Sequence, residues 1–379
     1  MRKLALPGTH RAVAPETTWE RIAPRLRRHG ITRVADVTRL DNIGIPVFLA
    51  VRPESETLAV SQGKGASPLL AKLSAVMESI ELWHAERPQV DSFSATAASL
   101  RLPYALTDLN VRVREAWTGE LRMPWVHARS LTDQRTVPVP LDLVRLSYSG
   151  PHFWRPRLFE SSSTGLASGN TFTEAALHAL YEAVERDVLA AHPSATGPGR
   201  LQIAADTVQD GHVRSLLDRL GDAGVDVRLS CVPNRFAIPT FAAFVWSPLF
   251  PLVCAGSGSH LDPVVALSRA VTEAVQSRLT EISATRDDIP SDQDAWQDAG
   301  TTAGLPADPG LVSLDEALSG HGAAHADMEE ELADVTRRIT NVTGHAPLVV
   351  RLSDPAEPFS VVRVVCPGLS FAEGRTLSA

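Results

Sequence analysis

Thr171-Phe-Thr-Glu174-Ala-Ala-Leu-His-Ala-Leu-Tyr-Glu182-Ala-Val-Glu185-Arg186-Asp187 reads as a helix whose three glutamates are not ordinary surface charge. At about 100° per residue, Glu174 and Glu185 lie roughly 20° apart, and Glu182 falls within roughly 80° of Glu174. The opposite side carries Ala175, Ala176, Ala179, Ala183 and Val184, small and apolar enough for close packing. No lysine stands four residues after any of these glutamates, so the usual solvated pairing is missing. Converging carboxylates without basic partners repel unless a cation joins them, and hard, oxygen-preferring Mg²⁺ is the candidate.

A second segment, Leu69-Leu-Ala-Lys-Leu-Ser74-Ala-Val-Met-Glu78-Ser-Ile-Glu81-Leu-Trp-His-Ala-Glu86, repeats the arrangement. Positions 69, 70, 73, 76, 77 and 80 form an apolar stripe of helical period. Ser74, Glu78 and Glu81 fall within about 60° of one another on a different face. An amphipathic helix with a solvated outer face explains one such pair of glutamates. Two helices are harder to explain that way, because each follows a glycine- and hydroxyl-rich lead-in. These are Ser61-Gln-Gly63-Lys64-Gly65-Ala-Ser67 and Ser161-Ser-Ser-Thr164-Gly165-Leu-Ala-Ser168-Gly169-Asn170-Thr171. Read as loops, they present N–H groups, hydroxyls and a lysine at a helix start, where phosphate is favoured. GxxxxGK[ST] is absent, so the P-loop is excluded. Phosphate donors beside paired carboxylates point to a nucleotide held through bridging Mg²⁺.

These blocks resemble the YcaO family: SxGKGxxxxxAxxSAxMExxE, then SSxGxAxGNTxxEAxxHAxxExxERD, then GxGxHLDPxxALxRAxTEAxQSRL. The third block stands here as Gly256-Ser-Gly258-Ser-His260-Leu-Asp262-Pro263 through Arg269, Glu273 and Gln276 to Arg278-Leu. The likeness runs from about residue 10 to about residue 290. Leu40-Asp-Asn-Ile-Gly-Ile-Pro-Val47 and Glu78-Ser-Ile-Glu81-Leu-Trp-His-Ala-Glu86 look most like members found beside TfuA-type partner proteins. The resemblance implies a mixed α+β fold with ATP and Mg²⁺ bound between acidic helices without a P-loop. It also implies phosphorylation of a peptide backbone carbonyl. Attack by a Cys, Ser or Thr side chain then gives an azoline, sulfide a thioamide, and an amine an amidine.

Carried over residue by residue, Glu78, Glu81, Glu174, Glu182 and Glu185 match the Mg²⁺ set. Ser74, Asn170, Arg186 and Gln276 match nucleotide-contacting positions, and Lys64 is a further phosphate contact. Arg286 matches a basic family position. Arg11 and the Thr17-Thr18 pair resemble a basic and hydroxyl position facing phosphate, although Thr17 also suits a helix N-cap. Helical geometry separates Gln276 from its neighbour: Glu273 lies about 40° and Gln276 about 20° from Arg269, while Arg278 points roughly opposite and reads as structural. His178 lies on the metal-facing side, but Mg²⁺ prefers oxygen; His260 reads as a loop hydrogen-bonder. Leu82 replaces an arginine common among relatives, and the chain ends without the PxPxP tail of many azoline formers.

The remaining chain fits a soluble enzyme. Its 379 residues, 44% hydrophobic and 21% charged, suffice for a sizeable core. A net charge of −8 argues against a nucleic-acid binder. Cys231, Cys254 and Cys366 are too scattered for disulfides or zinc. Neither a signal peptide nor a spanning helix is present, which implies a cytoplasmic protein outside the membrane. Strands are expected over 47–60, 137–146, 225–232, 241–246, 347–352 and 359–365. We expect one domain over 1–379, with the motif-bearing core at 61–290 and an exposed connection at 291–326. A helix from about Met328 to Val342 leads into the last strands of 327–379. No leader-binding module is apparent, so a separate partner, TfuA-like or leader-binding, is expected to deliver a precursor peptide or protein. Homo-oligomers are compatible with this reading. Thioamidation is the first expectation and azoline or amidine formation the runner-up. A non-catalytic ATP-binding accessory subunit is the rival of another class.

Overall fold

The computed structural model describes residues 1–111, 119–147, 158–159, 162–192, 199–285, 305, 310–322 and 324–371. The chain opens with β1 (Leu4–Leu6), β2 (Thr9–Arg11), α1 (Pro15–Ile22), β3 (Arg33–Asp36), β4 (Val47–Val51), β5 (Val60–Lys64) and α2 (Pro68–Glu86). It continues through β6 (Ser92–Thr96), β7 (Arg122–Ser130), β8 (Thr136–Pro140), β9 (Leu166–Gly169) and α3 (Phe172–Ala191). There follow β10 (Leu201–Ile203), α4 (Gly211–Asp222), β11 (Asp226–Cys231), β12 (Thr240–Ser247), β13 (Phe250–Ser259) and α5 (Pro263–Ser283). Last come β14 (Leu311–Val312), a short α6 (Leu314–Ala317), α7 (Met328–Thr343), β15 (Leu348–Arg351) and β16 (Ser360–Val365). No described helix is long and apolar enough to cross a membrane.

The strands form four sheets: β1-β2, β3-β4-β5, β13-β12-β11-β10-β14, and β6-β7-β15-β16-β9 with β8 added to β7. All described pairings are antiparallel except β10 with β14. This is the expected α+β class. The buried apolar residues form three clusters, and Trp125, Tyr181, Phe241, Phe244 and Phe359 are among their most enclosed side chains.

One unit recurs three times: an end strand followed at once by a long helix that folds back on it. The units are β5–α2, β9–α3 and β13–α5, capped by Ser67, Thr171 and Asp262. Each cap side chain accepts a helix N–H, as Ser, Thr and Asp do at this position. Glycine makes the contact possible. A Cβ on Gly63 would lie 2.0 Å from the Ala75 nitrogen, and one on Gly256 2.2 Å from the Ala274 nitrogen. On Gly169 it would lie 2.5 Å from the Ala175 nitrogen. Alanine on the helix side completes the close approach, since Ala71, Ala75, Ala175, Ala270 and Ala274 are all buried.

These contacts correct the sequence reading. The glycine-rich lead-ins are not simply loops: β5 takes up Val60–Lys64 and β9 takes up Leu166–Gly169, Gly63, Gly65 and Gly169 face the helix that follows, and Gly165 faces the Val364 carbonyl of β16. The apolar run 47–60 splits into β4 and the start of β5, and the run 137–146 is strand only to Pro140. Thr17 lies inside α1, whose N-cap is Ala14, so it is not a capping residue. Most of 291–326 lies outside the described residues, though β14 and α6 fall within it. The expected strands 225–232, 241–246, 347–352 and 359–365 and the helix from Met328 agree with β11, β12, β15, β16 and α7.

The glycine contacts predict the response to added methyl groups. Gly63→Ala or Gly256→Ala should lose about 2 kcal/mol or more, because backbone cannot give way as a flexible side chain would. Gly211→Ala, with nothing within 4 Å of its new carbon, should be neutral or stabilising by about 0.5 kcal/mol. Urea melts of the three variants check the ordering; equal midpoints would remove this account of the glycines.

Candidate functional site

Side chains from α2, α3, α5 and the β1–β2 hairpin surround a cavity of about 1500 Å³. All five glutamates singled out in the sequence line it, as do Arg11, Lys64, Ser74, Asn170, Arg186 and Gln276. Thr18 lines it too, donating to Asn170 Oδ1 at 2.8 Å, whereas Thr17 is not among the lining residues. Arg286 lies outside the described residues.

Each glutamate is oriented by a main-chain donor. Gln62 of β5 donates to Glu78 Oε2 at 3.0 Å. Ser168 of β9 donates twice to Glu81 Oε1, from its N–H at 2.8 Å and its hydroxyl at 2.5 Å. Gly165 donates to Glu182 Oε2 at 3.1 Å. Glu185 accepts the Ser259 N–H at 3.0 Å and the Ser257 hydroxyl at 2.7 Å, both from β13. Glu174 accepts the Ala12 N–H at 3.0 Å, and Asn170 donates to it at 3.2 Å. Rotation of these carboxylates is thereby restricted.

Their charges are strained by burial. Burial pushes Glu81 up to about 8; the Ser168 hydroxyl opposes this, while Glu78 and Glu182 add to it. Burial pushes Glu182 up to about 7, with Arg186 opposing and Glu185 adding. Glu185 is also raised, by burial and then by Glu273. Among the described residues no three His, Cys, Asp or Glu side chains close a metal centre alone. The carboxylates instead ring the cavity as hard oxygen donors, and burial raises Glu81, Glu182 and Glu185 above the ordinary carboxylate range. Such a set fits a hard divalent cation whose remaining ligands come from phosphate and water.

The expectation of carboxylates without basic partners needs correction. Arg186 stands four residues after Glu182 and lowers the cost of both Glu182 and Glu185. Arg11, on β2 and far away in sequence, places its Nε 3.8 Å from Glu174 Oε1. Lys64 Nζ meets Glu273 Oε2 at 2.7 Å across the cavity. Arg269 and Glu273, outside the site set expected from the sequence, also line the cavity. The signal was present, because they share a helical face with Gln276.

The histidines are occupied elsewhere. Arg11 Nη1 donates to His178 Nε2 at 2.6 Å, so the ring proton sits on Nδ1, which donates to the Ser168 carbonyl at 3.2 Å. Burial, then Arg11 and Arg269, hold His178 well below the usual histidine range, hence neutral. Both nitrogens are thus engaged, and His178 is not placed as a metal ligand. His260 Nδ1 accepts the Asp262 N–H at 2.8 Å, as a hydrogen-bonder should. Arg278 is structural: its Nε donates to Asp41 at 2.7 Å and its guanidinium lies over Phe250. Glu86 likewise serves the fold, paired with buried Arg52 and accepting from Ser55 and Thr57.

Residues 62–370 match the family model described as YcaO cyclodehydratase, ATP- and Mg²⁺-binding. A Mycobacterium tuberculosis (strain H37Rv) protein described as uncharacterized protein Rv1375 is 44% identical over 286 residues, covering 75% of this chain and 65% of that protein. The match therefore spans slightly less than two thirds of that relative. A Rhizobium leguminosarum bv. trifolii protein, described as lying in the tfuA 3′ region, is 37% identical over 380 residues, covering 95% of this chain and 88% of its own. The structure of YcaO from Methanopyrus kandleri bound with AMPPCP and Mg²⁺ shares the fold, with a TM-score of 0.73 at 22% identity over 98% of this chain and 95% of that one.

The raised carboxylate carries a pH signature. Unfolded Glu81 ionises near 4.5 and folded Glu81 near 8, so the native state binds the extra proton between them. Its contribution is complete below about 4.5 and is lost as pH rises through 8. In EDTA, the melting temperature of Glu81→Gln relative to wild type should therefore climb across this window. A difference that stays flat, or falls, would show that Glu81 ionises normally.

Proposed function

The chain belongs to the YcaO family, and from that premise we propose that it uses ATP and Mg²⁺ to activate a backbone carbonyl of a peptide or protein. The observation that carries this reading is the convergence of five glutamates from two helices, with Arg11, Lys64 and Arg186, on one cavity. Glu78, Glu81, Glu174, Glu182 and Glu185 would hold Mg²⁺, whose charge would offset that developing on the transferred phosphoryl group. Arg11, Lys64, Arg186 and Arg269 supply cations for phosphate oxygens, while Ser74, Asn170 and Gln276 add polar contacts. The amide oxygen attacks the γ-phosphorus and ADP leaves. A nucleophile then adds to the activated carbon and expels phosphate.

Sulfide as that nucleophile, delivered with a TfuA-like partner, gives a thioamide. The relative described from a tfuA 3′ region supports this choice. The family description as cyclodehydratase supports the second reading, an azoline formed by a neighbouring Cys, Ser or Thr. A non-catalytic accessory role is less consistent with a complete glutamate set. We read 1–379 as one unit, with 61–290 its ATP/Mg²⁺ core and 327–379 a closing helix and strands.

The deciding experiment compares the peptides of the native host with and without the gene, then reconstitutes the reaction with ATP, Mg²⁺, sulfide and the TfuA-like protein. Thioamidation adds about 16 Da and cyclodehydration removes about 18 Da, as the attacking nucleophile dictates. Equal modification without the partner would remove the partner from the reading. No mass change in either direction would remove the activity.

Two variant sets test the roles. Glu182→Gln and Glu185→Gln should abolish turnover, yet melt no lower than wild type in EDTA, because each relieves buried repulsion. A variant that unfolds while keeping full turnover per folded molecule would make these residues structural. His178→Phe frees Arg11 and should weaken Mg·AMPPCP binding about tenfold, one charge-assisted hydrogen bond. His178→Gln, which keeps an acceptor, should recover most of it. Calorimetry showing equal losses would deny His178 its role as acceptor.

A further inference from the structure

We propose, on the reading that the substrate is a peptide, that the outer edge of β13 is its docking rail. The peptide adds to this edge as an extended strand, and its bond opposite Ser257 is the one held against the carboxylates. β13 is the end strand of its sheet, and β12 is its only partner among the described residues.

Hydrogen-bond parity shows which groups are free. The His260 N–H donates to the Pro239 carbonyl. Alternation along the ladder then makes Phe241/Gly258, Ala243/Gly256 and Val245/Cys254 the bonded pairs. Ser259, Ser257 and Ala255 direct their N–H and C=O groups the other way, and the alternation ends at Val245/Cys254, where the register shifts. The Ser259 N–H agrees, since it reaches Glu185. Ala255 and Ser257 both line the cavity, so the unpaired edge runs along its wall.

The surroundings favour main chain as the occupant. Ala255, Gly256 and Ser257 present no bulky side chain to an approaching backbone. Gly256 and Gly258 pack directly on α5, which fixes the rail. An apolar ligand would leave the edge donors and acceptors unmet, whereas an added strand satisfies them in series. Room is sufficient: about 1500 Å³ exceeds the roughly 300–1,000 Å³ of a site for one small molecule. Glu185 already takes the Ser259 N–H and so ends the rail. A strand lying one sheet spacing away, about 4.8 Å, then delivers its terminal paired amide beside that carboxylate. Main-chain recognition of this kind reads the backbone, the group that the proposed chemistry modifies.

Ala255→Pro tests the rail. It deletes an edge N–H without touching the ladder to β12, the one arrangement in which a strand accepts proline. The preceding Cys254 is already extended, as a residue before proline must be. Ala255→Ser keeps the N–H and is the control. Purified variants are titrated with Mg·AMPPCP, and the same variants replace the gene in the native host, where modified peptide is measured by mass spectrometry. The proline variant should bind nucleotide within about twofold of wild type yet yield about tenfold less modified peptide, while serine retains the yield. Wild-type yield from proline, or an equal loss from serine, overturns the rail. If Ala255→Pro fails to fold, amide hydrogen exchange of the wild type is read in its place: the native host's precursor peptide should slow exchange of the Ala255 N–H, and unchanged exchange overturns the rail. A wild-type protein that binds no Mg·AMPPCP, or a host with no modified peptide, overturns the functional reading and the docking with it.

Discussion

Three strand edges end inside this molecule, and the carboxylates that meet each of them at one N–H organise the site around them. β5, β9 and β13 are end strands, and an edge N–H enclosed by protein without an acceptor is costly. Glutamates from the long helices supply the acceptors. Glu78 reaches its own strand β5, but Glu81 on α2 crosses to β9 and Glu185 on α3 crosses to β13. Each unit is closed internally by glycine against helix backbone; the first two are closed externally by a carboxylate on the next edge, and in the third Glu273 of α5 meets the Lys64 ammonium of β5. The groups that face the cavity are therefore also the joints between sheets.

That double use explains the electrostatic state of the cavity. Glu81, Glu182 and Glu185 are all raised by burial first and by neighbouring carboxylates second. Arg186 and Lys64 offset part of this, and Lys64 is itself engaged by Glu273. Around Arg11 the arrangement differs. Its shortest side-chain contact is a neutral imidazole, which holds the guanidinium without cancelling its charge. The carboxylate side is thus short of cations, and the arginine side keeps charge for an anion. Ser168 joins the two, because its carbonyl accepts from His178 while its N–H and hydroxyl hold Glu81.

The helices and their acidic faces were legible because helical phase is local. Glu174 with Glu185, Glu78 with Glu81, and Gln276 opposed to Arg278 all follow from counting residues, and the cavity-lining set and the Arg278–Asp41 pair agree. The lead-ins misled because strand glycines and loop glycines look alike until the helix that lies on them is known. β9, only Leu166–Gly169, offers no alternation of apolar and polar residues to count. Charge balance was least legible, since Arg11 and the Ala12 N–H reach Glu174 from more than 160 residues away in sequence.

The hairpin that brings Arg11 to the cavity shows how far the site's support extends. β1 and β2 contribute three residues each, and a two-stranded hairpin of that length does not hold itself. Its anchors are polar and buried. Lys3 donates to Glu331 of α7, with both side chains almost fully enclosed. His10 Nε2 lies 3.3 Å from the Asp262 carboxylate that caps α5, and its ring meets that of His260 edge to face. His260, held neutral chiefly by burial, sits 3.6 Å from Glu331. Removing one partner of such a pair strands the other, a penalty that exceeds the worth of a surface ion pair. α7 adds no lining residue to the cavity, yet through Glu331 it fixes the hairpin, and through the hairpin it fixes the arginine that His178 and Glu174 share.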